Sequence, residues 1–327
     1  MQAGITGLHH VTATVDGAQE DLDFVTGLLG LRLVKQTVNF DNHDVFHFYY
    51  GDESGSPGTL WTTFPYRGCG IRQGVIGAGQ VTTTAFSVPT DSLRFWRERL
   101  AEAGVQVRDS TTRRGEARIV FRDPSGLELS LVGTTDDPRT PWSGGEVDAA
   151  RAVRGLHSVT LSVRSAAPTV TFFQELLGFE MVDYTERVTT LAVNGDLPGH
   201  YIKVGERPEI DPAVNGTGTV HHVALCAADA DAQLRLRGQL VERGFTPTEV
   251  RDRQYFQSIY FREPGGVLVE VATPMPGFTV DEPLASLGSS LRLPAWEEEH
   301  RAAIEQALPA IALPGQHLPR NGPVAGR

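Results

Sequence analysis

The sequence predicts an α+β protein of four βαβββ units curled into two half-open barrel domains, and three observations lead there. Four segments repeat one strand pattern: GLHHVTATV from Gly7, GQVTTTAFSV from Gly79, GLHSVTLSV from Gly155 and GTVHHVALC from Gly218. Each alternates like a half-buried strand and opens on a glycine. An apolar stripe of helical period follows every one, closed by a glycine suited to left-handed backbone. The repeats start 72, 76 and 63 residues apart, too long and too few for a solenoid.

The helices are taken in order. Leu22, Val25, Leu28 and Leu29 form the first stripe, which stops at Gly30. Asp91 or Ser92 is placed to cap the second, which carries Leu93, Trp96 and Leu100 and stops at Gly104. Val170, Phe173, Leu176 and Leu177 precede Gly178, and Leu234 and Val241 precede Gly244. Shorter apolar runs follow each helix. In the second and fourth units the DPSG after Arg122 and the EPGG after Arg262 read as tight turns between two strands. Residues 1–150 then hold two units, residues 151–275 two more, and residues 276–327 a tail. That tail carries one helix near Trp296–Leu308 and is placed to wrap the body.

Composition narrows the function. The 327 residues are 40% hydrophobic and 21% charged, ordinary for a globular protein. A net charge of −11 and a pI near 5.4 repel a phosphate backbone, which sets nucleic acid aside. No apolar run approaches the ~20 residues that span a bilayer, and MQAGITGLHH lacks the basic-then-apolar pattern of a secretory leader. Cys69 and Cys226 are far apart and form no CxxC, so a reduced cytoplasmic setting is expected. Duplicated units often associate through sheet edges, so a homo-oligomer stands as an open expectation.

Among ten histidines, placement is informative. Doublets His9-His10 and His221-His222 occupy equivalent positions of the first and fourth units, where the other two carry Thr82-Thr83 and His157-Ser158. Strand alternation sets His10 with Thr12 and Thr14, and His222 with Ala224 and Cys226, so the second member of each doublet faces the cavity. Glu270 stands opposite Val267, Val269 and Val271, and an acid inside such a run is costly to bury unless paired or metal-bound. His10, His222 and Glu270 are therefore the expected metal ligands. Two imidazoles and one carboxylate leave open positions, the donor set of non-haem Fe(II) oxygenases; Mn(II) accepts the same set. Ser130 and Lys203 take the carboxylate's place in the second and third units, so one metal site is expected, built by the first and fourth units. His43, His47, His157 and His200 read as ordinary hydrogen-bonded histidines, and His300 and His317 as solvated.

At these residues the chain resembles the vicinal-oxygen-chelate superfamily, which includes glyoxalase I, extradiol dioxygenases and bleomycin-resistance proteins. It is most similar to the hydroquinone ring-cleaving dioxygenases, through GLHHVT, HFYYGDESGSPGT from His47, HHVAL from His221, DRQYFQSIYFREPGG from Asp252 and the final VEVAT. The resemblance covers nearly the whole chain. It implies a site drawn from the first and fourth units, with His9, Thr12, His221, Arg253 and Tyr260 around a small aromatic substrate and O2. Alternation agrees for Thr12 but sets His9 and His221 on the other face unless a bulge turns them. Arg253 and Tyr260, seven apart, fall on opposite faces of a regular strand. The implied activity is Fe(II)-dependent insertion of both oxygen atoms into a hydroquinone-type ring, with His221 or Tyr260 assisting proton transfer. A catechol extradiol dioxygenase, a glyoxalase-like isomerase or lyase, and a non-enzymatic ligand-binding protein are the rival readings.

Overall fold

The computed structural model describes residues 4–112, 114–314 and 316. Two curled eight-stranded sheets, each closed on one side by helices, make the body. The first unit supplies β1 (Ile5–Val15), α1 (Ala18–Leu22, running on as a π-helix over Asp23–Leu28), β2 (Arg32–Asn39), β3 (Asn42–Gly51) and β4 (Leu60–Pro65). The second supplies β5 (Gln80–Pro89), α2 (Leu93–Glu102), β6 (Arg108–Thr111), β7 (Ala117–Arg122) and β8 (Glu128–Thr134). In the third are β9 (Gly155–Val163), α3 (Ala166–Glu175), β10 (Glu180–Tyr184), β11 (Val188–Ala192) and β12 (Tyr201–Glu206). The fourth holds β13 (Thr219–Ala227), α4 (Ala230–Glu242), β14 (Arg251–Asp252), β15 (Phe256–Arg262) and β16 (Leu268–Pro276).

Strand order is β14-β15-β16-β13-β1-β4-β3-β2 in one sheet and β10-β11-β12-β9-β5-β8-β7-β6 in the other. The first and fourth units thus share one sheet, and the second and third share the other. Each of the stretches 1–150 and 151–275 contributes half of both sheets. Antiparallel pairs β1–β13 and β5–β9 form the two central seams.

The repeated glycines explain how the sheets approach each other. Leu8 N donates to Gly199 O at 2.7 Å and Leu156 N to Gly58 O at 2.8 Å, so a loop of each sheet docks on a central strand of the other. At Gly155, φ is +144°, and a Cβ would stand 2.8 Å from Gly58 O. Neither the conformation nor the space admits a side chain.

Helices pack their apolar faces on the convex sides. Trp96 and Leu100 bury under α2, and Val170, Phe172 and Phe173 under α3. Ser92 does not cap α2: a 3₁₀ turn over Thr90–Ser92 precedes that helix, and Ser92 Oγ donates to Pro89 O at 2.6 Å. The buried face of α4 is also not the expected one. Ala232, Gln233, Leu236 and Leu240 face the sheet, while Leu234 and Val241 are exposed. Gln233 decides this orientation, because its amide donates 2.8 Å bonds to Gln257 O and Val271 O. On α1, the buried Asp21 accepts from Tyr50 Oη at 2.8 Å and Thr63 Oγ1 at 2.6 Å, tying that helix to β3 and β4.

After β16 the chain crosses the first sheet. Lys35, fully buried on β2, holds Asp281 at 2.6 Å and also Glu282. Phe278 enters the concave side against Tyr49, Tyr255 and Phe256. The tail's helix, α5, spans Arg301–Ala307, inside the expected stretch.

Two predictions follow from this packing. Gly155→Ala loses about 2–4 kcal/mol of stability in urea titrations, the sum of backbone strain and a displaced loop. Burial pushes the Asp21 carboxyl up to about 6, against the two hydroxyl donors that lower it. A raised acid costs nothing below its unfolded pKa, and its cost grows as pH rises through the folded one. Asp21→Asn keeps an acceptor without the charge. Its stability relative to wild type therefore improves, on the order of 2 kcal/mol, between about pH 4.5 and 7.5.

Candidate metal centre

The site grows from three neighbouring strands. In register, His10 on β1 faces Ala224 on β13, which faces Glu270 on β16, and Thr12 faces His222. Directly opposed residues share a face, and the methyl of Ala224 leaves room for the longer chains on either side to converge. His222 Nε2 lies 2.8 Å and His10 Nε2 3.3 Å from Glu270 Oε2, with 3.2 Å between the two nitrogens. All three residues are buried, and Glu270 is 0% exposed. Among the described residues this is the one cluster of three such side chains that could hold a metal.

Both expectations about alternation meet bulges. The β1–β13 register slips between Leu8 and His10 and again between Thr12 and Ala13, so His9 and His221 are the extra residues. A bulge re-aims side chains, and here it brings the first member of each doublet beside the second. His9 Nδ1 lies 2.9 Å from His10 Nδ1, and His221 Nδ1 lies 2.8 Å from His222 Nδ1. Burial and the adjacent imidazole take both His9 and His221 down to about 3, so each stays neutral. A neutral Nδ1 accepts the Nδ1–H of its neighbour, which directs the lone pair on Nε2 of His10 and His222 toward the carboxylate.

A cation fits this arrangement. Ser258 Oγ donates to Glu270 Oε1, whereas Oε2 is buried without a hydrogen-bond donor. With both Nε2 atoms unprotonated, three lone pairs point at one another across about 3 Å. Burial lowers His222 as well, which disfavours relieving the contact by protonation. Burial works to raise the Glu270 carboxyl, and it lies well below its ordinary range only where His10 and His222 carry positive charge toward it, the place a cation would take. Metal–ligand bonds of about 2.0–2.2 Å set neighbouring donors of an octahedron about 3 Å apart, matching the separations found.

Around the triad stand the other expected residues. Thr12 Oγ1 is 2.9 Å from His222 Nε2. Arg253 Nε donates to Tyr260 Oη at 3.0 Å, although alternation separates the two. Arg253 sits in the tight turn between β14 and β15, where Gln254 takes φ +66° and the alternation restarts. Burial and Glu270 raise the Tyr260 phenol above its ordinary value, so it keeps its proton. Asp41 pairs with Arg253 at 3.2 Å from the mouth of the cavity.

The cavity beside the triad measures about 220 Å³. His47, Tyr49 and Phe64 line it together with Tyr66 and Phe256. His47 is the residue that sequence reasoning passed over; its alternation with Tyr49 on β3, within the quoted HFYYG, was the available signal. A larger depression of about 710 Å³ lies between Phe24 and Phe121, open to solvent and without a histidine. His157 bonds Glu116 and Ser158, His200 bonds Asn194 O, and His43 and His300 are exposed. His317 lies outside the described residues. The second sheet carries Ser158 and Thr83 where the first has imidazoles, and Ser130 and Lys203 at the carboxylate positions.

Comparison with known proteins agrees with this architecture. Residues 7–131 and 155–271 match the Glyoxalase/Bleomycin resistance protein/Dioxygenase superfamily. The chain is 40% identical, over 93% of its length and 99% of the relative's, to a Bacillus subtilis (strain 168) protein named "Putative ring-cleaving dioxygenase MhqE". It is 35% identical to the chlorohydroquinone/hydroquinone 1,2-dioxygenase of Sphingobium indicum, over 88% of this chain and 91% of that one. A crystal structure described as a "putative dioxygenase" from Bacillus subtilis superposes with a TM-score of 0.90 at 40% identity, covering 94% of this chain and 98% of that one. Maize glyoxalase I shares the fold, with a TM-score of 0.61 at 14% identity over 82% of this chain and 92% of that one. Within the described residues no helix is long and apolar enough to cross a membrane. On the match of both halves and on these relatives, the chain belongs to the Glyoxalase/Bleomycin resistance protein/Dioxygenase superfamily.

Proposed function

We propose that this protein is a ring-cleaving dioxygenase that opens a hydroquinone-type ring with both atoms of O2, using Fe(II) held by His10, His222 and Glu270. Mn(II) suits the same donors. The observation that carries the reading is the convergence of two imidazole nitrogens and an undonated carboxylate oxygen at 2.8–3.3 Å in a buried site. The relatives named as ring-cleaving dioxygenases support the reaction class, and the Sphingobium indicum enzyme supports the substrate class.

When bound, Fe(II) supplies Lewis acidity toward a ring hydroxyl and an electron path between the ring and O2. The chain's own residues do the positioning. A cavity of about 220 Å³ suits one substituted ring, given that an apolar cavity of about 150 Å³ admits benzene. Tyr260 accepts from Arg253 and so has its own proton free to donate to a substrate oxygen. Arg253, half-enclosed and positive, stabilises negative charge that develops as oxygen adds to the ring. The ring bond beside a hydroxyl-bearing carbon breaks; the ring is oxidised, O2 is reduced, and both oxygen atoms remain in the product. His9 and His221 hold the tautomer and orientation of the ligands rather than acting on the substrate.

Anaerobic loading with Fe(II), followed by methylhydroquinone, chlorohydroquinone or catechol in aerated buffer, tests the reaction. A hydroquinone consumes O2 with equimolar loss of aromatic absorbance. Preference for catechol transfers the reading to the extradiol class, and bound iron without oxygen uptake transfers it to an isomerase or lyase. Glu270→Ala tests the centre separately. Wild type gains about 2.7 kcal/mol of unfolding free energy at a metal concentration one hundred times Kd, and the variant gains none. Full iron occupancy in that variant would refute the ligand assignment.

A further inference from the structure

A hydroquinone carries two hydroxyls at opposite ends of one ring, and the metal centre accounts for only one of them. We propose that Tyr66, braced by Asn39, binds the hydroxyl para to the metal-bound oxygen and so selects para-dihydroxybenzenes over their ortho isomers. This rests on the function proposed above.

Strand β4 sets the distance. Its residue Thr62 is the register partner of Thr12, which in turn faces His222. Thr62, Phe64 and Tyr66 alternate onto one face. The bond from Tyr66 N to Val15 O, at 3.0 Å, holds the chain beside β1 just past the strand's end. Tyr66 therefore stands four positions beyond the row of His222, about 13 Å along the strand. Phe64 lies between, its ring centroid 6.0 Å from that of His221 and 6.4 Å from that of Tyr66. A ring that meets the metal through one oxygen and lies against Phe64 directs its para position at Tyr66. An ortho hydroxyl stays beside the metal, out of reach.

The far end of the cavity repeats a device of the near end. Asn39 Oδ1 accepts from Asp41 N at 2.9 Å, which turns the amide so that Nδ2 donates to Tyr66 Oη at 3.1 Å. Since that oxygen already accepts, the phenol's own proton is free for a ligand oxygen. Next to the metal ligands, Arg253 Nε donates to Tyr260 Oη in the same way, and that ring lies 5.8 Å from His222. Asp41 links the two pairs: its backbone fixes Asn39 while its carboxylate holds Arg253 at 3.2 Å. All five residues line the one cavity of about 220 Å³.

The surroundings of Tyr66 suit a donor. Burial, with Cys69 and Asp41 nearby, raises the phenol above its ordinary value against the Asn39 bond, so it keeps its proton. The side chain is half-buried, and a ring in the cavity covers it further. A ligand without a para oxygen then leaves a desolvated O–H with no acceptor, which is the costly outcome that discriminates between substrates.

Two measurements test the assignment. The first is calorimetric binding to protein loaded with redox-inert Zn(II), which separates recognition from turnover. Hydroquinone, catechol and para-cresol are compared in wild type and Tyr66→Phe; para-cresol fills the para position without an acceptor. Wild type binds hydroquinone about tenfold more tightly than para-cresol, the scale of one hydrogen bond in a covered site. Tyr66→Phe abolishes that difference and leaves catechol and para-cresol as they were. Equal affinities in wild type, or a hydroquinone preference that survives Tyr66→Phe, overturn the assignment. The second is steady-state oxygen uptake by the iron-loaded enzyme. Tyr66→Phe raises KM for hydroquinone about tenfold with kcat and iron content unchanged, the mark of lost substrate binding; an unchanged KM overturns the assignment. Failure of the underlying function shows differently, as no oxygen uptake by the wild type with any hydroquinone, and the Zn(II) comparison then still decides the role of Tyr66.

Discussion

A carboxylate sits in the dry interior of a β-sheet, with one oxygen bonded by Ser258 and the other aimed at two imidazole nitrogens. Burying an unpaired charge costs far more than one side-chain contact can return. The first sheet is arranged around that demand. Small Ala224 stands between the acid and His10, Ser258 satisfies the far oxygen, and neutral His9 and His221 fix the near nitrogens. Without a cation the cluster has lone pairs facing each other, so under the proposed function metal affinity and local stability are coupled quantities.

The repeat architecture supplies this arrangement cheaply. Central strands β1 and β13 each contribute a histidine doublet from equivalent positions, and their antiparallel pairing brings the doublets together across the seam. Since the first and fourth units share the sheet, the two ends of the chain must meet before the centre exists. The tail then limits its size. Phe278 fills part of the concavity against Tyr49 and Phe256, held by the Lys35 pairs with Asp281 and Glu282, and what remains is a cavity for about one ring.

Much of this was legible from residues alone, and what was not has physical causes. Glu270 inside VLVEVAT announced itself because an acid in a buried run needs a partner. The histidine doublets were visible because repetition marks equivalent positions. Bulges were not visible: an extra residue in one strand leaves no mark in the hydrophobic pattern, so alternation sent His9 and His221 to the wrong face. The same limit separated Arg253 from Tyr260, since a turn at Gln254 restarts the period. For α4, a weak stripe of Leu234 and Val241 lost to the two backbone bonds of Gln233, which pattern reading does not weigh. His47 passed as ordinary because its place at the cavity is fixed by a bond to Thr62 on the neighbouring strand, which pattern reading does not reveal.

The second sheet shows what the same scaffold does without the donors. There Ser158 and Thr83 replace the imidazoles, and the carboxylate positions hold Ser130 and Lys203. Lys203 is pushed down to about 8, first by burial and then by the nearby Arg118, with Glu116 working the other way. A lysine so placed puts a covalently attached positive charge inside the second concavity, where the first sheet offers donors for a mobile one. A cation bound by three neutral or negative donors leaves coordination positions for substrate and O2; an ammonium offers only its three N–H bonds. Under the proposed function, chemistry belongs to the sheet whose interior charge is exchangeable. The other is free to serve as scaffold, holding through Gly58 and Gly199 the loops that dock beside the strand bearing His9 and His10.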